Sequence, residues 1–432
     1  MPASLRIKDV ERITLRVPFT ETAAKWNALL VWQWQIVEII RVTTDDGTVG
    51  YGETLPHYTW GRVSDEALAR VKGKNPAELL GDTSFGAGLE MAIYDVVGKA
   101  LGVPVYHLLN LPKVRDWCPI AWWNTKMSPE DLASEAQEAV AAGYIFHKFK
   151  TRPWFDVYEQ VEAISAVTPE HYRLDLDWNG MLMNVGTAVP VMQRLDQYER
   201  VSIYEGPINQ ADVEGQRELR RKVAKPIALH FGSPPFHTAV REAVCDGFVI
   251  GGGVSAVLRQ GQLAGEFEKP FWLQMVGVGL VTALSAHLGA VLPFAQWPTI
   301  TCMNNYTDEL LNEPLTICGG YLQVPDGPGL GVEVNEDALK KYAMEEPYRL
   351  PDERHILSVV WQGGRVVHFA NMKDHCWPHF RQRGNDPAQE PGVTLEIWDD
   401  DGSKQWNDLY TRLQQGPIRK QRGEASSGNI GF

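Results

Sequence analysis

The feature that most constrains the fold is a regular alternation of short apolar runs and helical stretches between residues 117 and 302. The alternation repeats about every 25 to 28 residues, which is the length of one strand–helix unit. Seven or eight such units in series predict a parallel α/β barrel. In a barrel of this kind, residues at the carboxyl ends of the strands point into the mouth, where chemistry is done.

The residues before the barrel have a different pattern. Segments 5–17 and 34–43 alternate apolar and polar positions, and a turn at Asp45 to Gly47 leads back into a third strand. A helical stripe then ends at Gly102. Residues 1–116 are therefore predicted to form an N-terminal α+β capping domain, and residues 117–323 the barrel.

Two segments follow the barrel. Residues 324–350 begin with a turn-rich Val-Pro-Asp-Gly-Pro-Gly-Leu-Gly run and are predicted to return to the cap. Residues 351–432 form a C-terminal extension that is predicted to be partly β, with a hairpin over 356–368 and a strand over 393–398. The Gly/Ser-rich end, 423–432, is predicted to be disordered.

Composition excludes some classes of protein. The net charge of −13 argues against nucleic-acid binding, which needs a basic surface. No run of about eighteen apolar residues predicts a membrane span. The five cysteines are scattered without a Cys-x-x-Cys pair, and the N-terminus lacks the pattern of a signal peptide. A cytoplasmic protein is expected.

Candidate functional side chains stand at the ends of consecutive predicted strands. Lys148 and Lys150 share one strand, and the next three strands end in Asp177, Glu205 and His230. Alternation along a strand places the two lysines on one face, with the residue between them turned toward the helices. An amine base and three potential metal ligands would therefore converge on one end of the barrel.

These residues carry a resemblance to a known family. The Lys-x-Lys strand, Asp177 with Asn179 after it, Glu205 on the following strand, and the Pro-Asp-Gly-Pro-Gly-Leu-Gly segment occur in this order over residues 5–345. The combination resembles the enolase superfamily, in its mandelate racemase and muconate lactonizing enzyme branch. The resemblance implies a modified TIM barrel with a capping domain, and it implies that cap segments 18–33 and 53–61 close over the substrate.

The resemblance also implies roles for individual residues. Lys150 would be the catalytic base, Lys148 a neighbour that binds the substrate carboxylate, and Asn179 a substrate-binding residue. Asp177 and Glu205 would hold one divalent metal ion, Mg²⁺ by resemblance. The implied substrate is a small-molecule carboxylate, the implied intermediate a metal-stabilised enolate, and the implied assembly a homo-oligomer between a dimer and an octamer.

The physical logic of such a site is sound. A proton α to a carboxylate is a very weak acid, so an amine needs a cation to stabilise the charge that forms. The lysine base must be neutral, and a second ammonium group or a bound cation lowers its pKa. A Lys-x-Lys pair beside two carboxylates meets both requirements.

The sequence departs from the family pattern at the third ligand. The strand that should carry it ends at His230, with no carboxylate nearby. Mg²⁺ prefers oxygen ligands, whereas imidazole suits Mn²⁺ or Zn²⁺. His230 is therefore either a metal ligand, which opens the site to Mn²⁺ or Zn²⁺, or a substrate contact or hydrogen-bonded wall residue, with water at the third coordination position.

A second departure lies across the barrel. The sixth strand ends in Gly251, with no lysine, and the seventh offers no histidine. Asp246 remains without its usual partner, and His287 lies in a helix as a predicted core residue. In the tail, His375 and His379 with the cysteine between them resemble metal ligands, but Pro378 disfavours a helical arrangement and predicts a structural or subunit-contact role.

The presence of an obvious base on only one side of the barrel favours one type of reaction. Epimerisation needs two opposed acid–base groups, whereas a syn-elimination can use a single group that takes the proton and then protonates the departing hydroxyl. The leading hypothesis is therefore syn-dehydration of a hydroxy acid or acid sugar. A racemase, epimerase or cycloisomerase of the same superfamily is the first alternative, and a non-catalytic carboxylate-binding barrel is the second.

Overall fold

The computed structural model describes residues 5–58, 61–345, 349–383, 386 and 389–421. Trp60, part of the second predicted cap segment, and the predicted disordered end lie outside these residues. No helix within the described part of the chain is both long enough and apolar enough to cross a membrane.

The N-terminal region is an antiparallel sheet with helices packed on it. Its elements are β1 (Ile7–Arg16), α1 (Glu21–Asn27), β2 (Ile36–Thr44), β3 (Val49–Thr54), α2 (Asp65–Val71) and α3 (Ala87–Leu101). The strands pair in the order β1-β2-β3. Two glycines of β3 allow α3 to lie directly on the sheet, because a Cβ at Gly50 or Gly52 would overlap the backbone of α3. The predicted meander and helix are confirmed.

After β4 (Trp117–Pro119), seven parallel strands form a curved sheet, with neighbouring strands consecutive in sequence. They are β5 (Trp122–Asn124), β6 (Phe146–Lys150), β7 (Arg173–Asp177), β8 (Val201–Glu205), β9 (Ile227–His230), β10 (Gly247–Ile250) and β11 (Phe271–Leu273). The helices that follow them are α4 (Pro129–Ala141), α5 (Val157–Val167), α6 (Val185–Leu195), α7 (Val213–Arg220), α8 (Phe236–Arg241), α9 (Val254–Glu266) and α10 (Gly279–Val291). The strands are buried on both sides, as in a barrel.

The predicted eighth strand, residues 299–302, forms only isolated bridges. Thr299 pairs with Ile120 and Ile300 pairs with Gln274, so this segment joins the two edges of the sheet and closes the barrel. Cys302 ends the pairing because its backbone is left-handed, with φ of 62°. The modified TIM barrel is confirmed, with its last strand reduced to a short link.

The chain then returns to the cap. Strands β12 (Ile317–Cys318) and β13 (Tyr321–Gln323) form a small sheet with β4, and α11 (Glu336–Tyr342) follows. Gly329 pairs with Pro104, and Ala343 pairs with Leu15 of β1. These contacts agree with the prediction that residues 324–350 lie against the N-terminal region; the exact domain boundaries stay a prediction.

The C-terminal extension has its own sheet. Its elements are β14 (His355–Val360), β15 (Arg365–Phe369), two π-helical turns (Met372–Cys376 and His379–Arg383), β16 (Thr394–Asp399), α12 (Lys404–Leu413) and β17 (Ile418–Gln421). The strand order is β16-β14-β15-β17. The predicted hairpin and third strand are confirmed. Helix α12 and β17 were not predicted; α12 packs its buried Trp406 against the sheet.

Candidate active site

A cavity of about 650 Å³ opens at the carboxyl ends of the barrel strands. Its walls come from three parts of the chain: the cap segments, the barrel and the extension. The lining residues used below are Trp34, Tyr58, Lys126, Lys150, Arg152, Asn179, Gln210, His230, Gln274, Trp377 and Arg381. A cavity of this size suits a small organic ligand.

The two lysines of β6 contact the same carboxylate. Phe149 is fully buried, whereas Lys148 and Lys150 both reach Asp177 of the neighbouring strand. The Lys150 ammonium donates to Asp177 Oδ2 and lines the cavity. Lys148 lies deeper, with its ammonium 3.6 Å from the same oxygen and 4.8 Å from the centre of the Trp272 ring. Lys150 is thus the member of the pair that faces the cavity.

Asp177 and Glu205 are adjacent because β7 and β8 pair in parallel at these two residues. Both carboxylates are buried, with 0% and 1% of each residue exposed. Asp177 Oδ1 accepts a hydrogen bond of 2.9 Å from the backbone N–H of Asn179. A pair of buried carboxylates in direct register is costly unless cations compensate for it.

Lys148 is the main compensating cation. It forms an ion pair with Glu205, and its ammonium also donates to Gln274 Oε1 at 2.9 Å. Burial raises the pKa of Glu205, but the Lys148 ammonium, His230 and Lys150 together outweigh burial and hold that pKa well below its usual range. Burial lowers the pKa of Lys148, and the carboxylates of Glu205 and Asp177 reverse this, leaving it raised. The pair is therefore fully ionised near neutral pH.

His230 lies beside Glu205 at the end of β9. Its Nε2 is 3.0 Å from Glu205 Oε1, and 40% of its side chain is exposed toward the cavity. Gln210 holds the backbone here, because its side-chain oxygen accepts a hydrogen bond of 2.7 Å from the His230 N–H. His230 therefore touches one of the two carboxylates, and its role as a metal ligand stays a prediction.

Asp177, Glu205 and His230 are the potential ligands of a divalent cation in this site. Within the described ranges, no three His, Cys, Asp or Glu side chains lie close enough together to form a complete metal site. Neither oxygen of Glu205 has a hydrogen bond of ordinary geometry in this part of the chain, although both are buried. Two carboxylates with an adjacent imidazole are a suitable donor set for such a cation. The chemistry fits, and a bound cation has to compete with the Lys148 ammonium for the same oxygens.

Arg152 is a site residue that was not predicted from the sequence. It continues the two-residue alternation of β6. It follows Lys148 and Lys150 at the same two-residue spacing, which is the sequence signal that could have found it. Its guanidinium donates to the Asp177 carbonyl oxygen at 2.9 Å and to Asn179 Oδ1 at 2.5 Å. Asn179 has a left-handed backbone, with φ of 49°, and lines the cavity.

Several further lining residues were not predicted, and three of them are Lys126, Trp377 and Arg381. Lys126 follows the first barrel strand, where the alternation is too short to reveal it. Trp377 and Arg381 come from the extension, and only the tertiary structure brings them to the mouth. The site therefore includes more positive charge than the sequence alone indicated.

Other candidate residues have structural roles. His287 is buried and bonded through Nε2 to the Leu330 carbonyl oxygen at 3.0 Å, as predicted. Asp246 precedes β10 and pairs with Arg220, so it lies at the opposite end of the barrel from the cavity. His379 bonds to Asp386 at 2.6 Å within the extension. From the cap, Trp34 and Tyr58 reach the cavity.

Known proteins share this organisation. The family model described as "Enolase C-terminal domain-like" matches residues 131–338. D-gluconate dehydratase from Thermoproteus tenax is 26% identical over 80% of this chain and 75% of that protein. Muconate cycloisomerase 1 from Pseudomonas putida is 27% identical over 79% of this chain and 99% of that protein. Further relatives are an N-succinyl-L-Arg/Lys racemase from Bacillus cereus and an N-succinylamino acid racemase from Thermus thermophilus.

Solved structures agree on the fold. An enolase from Thermobispora bispora, complexed with magnesium and formate, superposes with a TM-score of 0.65 at 23% identity. The match covers 78% of this chain and 92% of that chain. The family-model match and the curated relatives, together with the ordered strand-end residues, identify the chain as a member of the enolase superfamily, in the mandelate racemase and muconate lactonizing enzyme branch.

Proposed function

We propose that Lys150 removes the proton α to a substrate carboxylate and that the enzyme eliminates a β-hydroxyl from the same face. The chain is an enzyme of the lyase or isomerase type, and the specific reaction is our inference. The substrate would be a hydroxy acid or acid sugar. The similarity to D-gluconate dehydratase supports the dehydration, and the placement of Lys150 supports its role as base.

The single observation that carries the proposal is the one-sided placement of basic groups. The ammonium group of Lys150 lines the cavity at the end of β6. Across the barrel, β10 is followed by Gly251 and β11 by Gln274, neither of which can act as a base. One group that acts on one face is sufficient for syn-elimination but not for epimerisation by two bases.

Asp177, Glu205 and His230 would hold a divalent cation, with Mg²⁺, Mn²⁺ or Zn²⁺ as candidates. When bound, the cation would neutralise the charge that develops on the substrate carboxylate. Lys148, which already balances both protein carboxylates, keeps their orientation fixed.

Neutral Lys150 takes the proton from the α-carbon, and the electrons of that C–H bond become the new carbon–carbon double bond. The bond from the β-carbon to its hydroxyl breaks as the Lys150 ammonium returns the proton to the departing oxygen. Water leaves. Where the α-carbon also carries a hydroxyl, as in an acid sugar, the product is an enol that rearranges to a 2-keto acid. No oxidant or reductant is required.

An isomerase is the second candidate, and Tyr58 is the observation that favours it. The Tyr58 hydroxyl accepts a hydrogen bond of 3.4 Å from Gln274 Nε2 and lines the same cavity as Lys150. Burial raises the pKa of Tyr58 to about 12, so the phenol keeps its proton and can act as a donor. A second proton donor in the same cavity as the base suits a racemase or a cycloisomerase.

Isotope exchange and product analysis distinguish the candidates. The protein with Mg²⁺ or Mn²⁺ would be incubated in D₂O with a panel of sugar acids, hydroxy acids and N-acylated amino acids. A dehydratase forms a 2-keto acid and leaves the configuration of recovered substrate unchanged. An isomerase gives deuterated substrate of inverted configuration or a lactone. Absence of both keto acid and deuterium exchange across the panel, with metal bound, would contradict the proposal.

A further inference from the structure

The C-terminal extension forms part of the active-site wall. Trp377, which lies between the two π-helical turns, and Arg381, on the second turn, line the same cavity as Lys150. The Arg152 guanidinium lies 4.7 Å from the centre of the Trp377 ring, and Phe380 packs against Trp154 with ring centres 5.5 Å apart. The family model ends at residue 338, so this contribution lies beyond the matched barrel.

The extension is attached to the barrel next to this wall. The backbone N–H of Asp156 donates to the Val393 carbonyl oxygen at 3.2 Å. The Asp156 side chain caps α5 through one oxygen and accepts a hydrogen bond of 2.8 Å from Gly392 through the other. A carboxylate that caps a barrel helix and also binds the extension fixes the two relative to each other near the cavity.

Three cations meet where the extension and the barrel join. Lys126 and Arg152 are buried, at 1% and 2% exposure, and Arg381 is exposed at the cavity wall. No carboxylate among the described residues forms an ion pair with any of the three side chains. The Lys126 ammonium has one hydrogen bond, to Thr125 Oγ1 at 3.2 Å, and Arg152 Nε is buried without an acceptor in this part of the chain.

Uncompensated buried charge is expensive, which points to a missing anion. Burial, with Arg152 and Lys150 nearby, lowers the pKa of Lys126 to about 7. An anionic ligand group in contact with these cations would reverse this effect. The protein carboxylates Asp177 and Glu205 are already paired with the two lysines of β6.

We propose that Lys126, Arg152 and Arg381 form a subsite for a second anionic group of the substrate, so that the substrate is a hydroxy acid with two anionic groups. The inference rests on the proposed function, which places the reacting carboxylate beside Lys150. The extension would then contribute directly to substrate selection, because Arg381 belongs to it. The second group is a carboxylate or a phosphate ester, since both bind guanidinium and ammonium groups.

The test uses three ligands of matched configuration. Gluconate, glucarate and 6-phosphogluconate share carbons 2 to 5 and end in a hydroxymethyl group, a carboxylate and a phosphate ester. Their dissociation constants would be measured by calorimetry with Mg²⁺ present, for the wild type, Arg381→Gln, Lys126→Gln and the control Arg412→Gln. Arg412 is exposed on α12 and does not line the cavity.

The wild type should bind one of the dianions at least about tenfold more tightly than gluconate. Arg381→Gln and Lys126→Gln should remove that preference and leave gluconate affinity within about twofold, while Arg412→Gln changes nothing. Preference for glucarate identifies a second carboxylate, and preference for 6-phosphogluconate identifies a phosphate. Equal wild-type binding of all three ligands, no binding of any, or equal weakening of all three by Arg381→Gln would overturn the inference.

This result is separable from the proposed function because binding does not require turnover. A dianion preference in a protein that forms no keto acid would leave the subsite in place and remove the dehydratase. Turnover of monoanionic acids without any dianion preference would do the reverse. Melting curves of each variant, with the exposed Arg381 as the least disruptive substitution, confirm that the fold is intact.

Discussion

On the β6–β8 side of the barrel mouth, every strand ends in a charged side chain that is buried or nearly so. On the β9–β11 side, the strands end in a half-exposed imidazole, a glycine run and an amide. The first side holds Lys148, Lys150, Asp177 and Glu205 in one network of ion pairs. The second side has His230 as its one titratable group at a strand end among the described residues. On the proposed function, proton transfer and charge stabilisation would therefore come from the same half of the site.

The most direct way to break this comparison is to remove the base. Lys150→Met should reduce turnover by about 10²- to 10⁴-fold, the usual contribution of a general base. Steady-state rates on the substrate found by the isotope screen would measure it. Lys222→Met, which removes an exposed lysine of a surface ion pair, is the matched control. Retention of more than a tenth of the activity by Lys150→Met would assign the base to another residue.

The removal of Lys148 tests whether the ion pairs on the β6–β8 side balance the charges of the buried carboxylates. Lys148→Met leaves Glu205 and Asp177 buried with one ammonium fewer, and loss of one partner from a buried pair costs about 3–5 kcal/mol. Chemical denaturation without metal should show this loss in the free energy of unfolding. Added Mn²⁺ should then stabilise the variant more than the wild type, because the freed carboxylates bind it. A variant that is as stable as the wild type, and equally indifferent to Mn²⁺, would show that the pair is solvated instead.

A variant of His230 tests the β9–β11 side of the mouth. If it is a metal ligand, His230→Ala should weaken divalent-metal affinity by about 10- to 100-fold, the range seen when a supporting contact is lost, whereas Glu205→Gln should abolish binding. Titration with Mn²⁺ and elemental analysis measure both. His237→Ala, at an exposed histidine of α8, is the control. Unchanged affinity in His230→Ala would leave this residue a substrate contact.

The smallest expected effect concerns Glu53, a cap residue that supports the β9–β11 side of the mouth. Its carboxyl group accepts hydrogen bonds from the backbone N–H groups of Val278 and Val281 at the start of α10. Burial raises the pKa of Glu53 to about 7, above its value of about 4.3 in an unfolded chain. The folded state therefore retains a proton that the unfolded state has lost between these values, so this group's contribution to stability falls as pH rises from about 4.3 to 7.

Glu53→Gln should flatten that part of the stability curve. The measurement is the difference in the free energy of unfolding between pH 5 and pH 8, for the variant and the wild type. Glu78→Gln, at an exposed glutamate of the cap, is the control. An identical pH dependence in wild type and Glu53→Gln would mean that Glu53 ionises normally in the folded protein.

Local pattern predicted the barrel because each strand–helix unit is encoded within about 25 to 28 consecutive residues. The two-residue alternation of β6 and the parallel register of β7 and β8 then brought Lys150, Asp177 and Glu205 together without further information. The predicted eighth strand forms only isolated bridges, because the backbone at Cys302 is left-handed and ends the pairing. This left-handed conformation is not visible in the residue pattern.

What the sequence by itself determined is therefore the barrel, the cap and the charged side of the mouth, all of which depend on short-range periodicity. Only the tertiary structure decided which side chains face the cavity and which turn away from it. Lys148 turns inward to balance two carboxylates, while Lys150 faces the ligand space. Arg381 reaches the mouth from a segment more than two hundred residues away from Lys150. Contacts of that separation depend on how whole units pack, and no local periodicity encodes them.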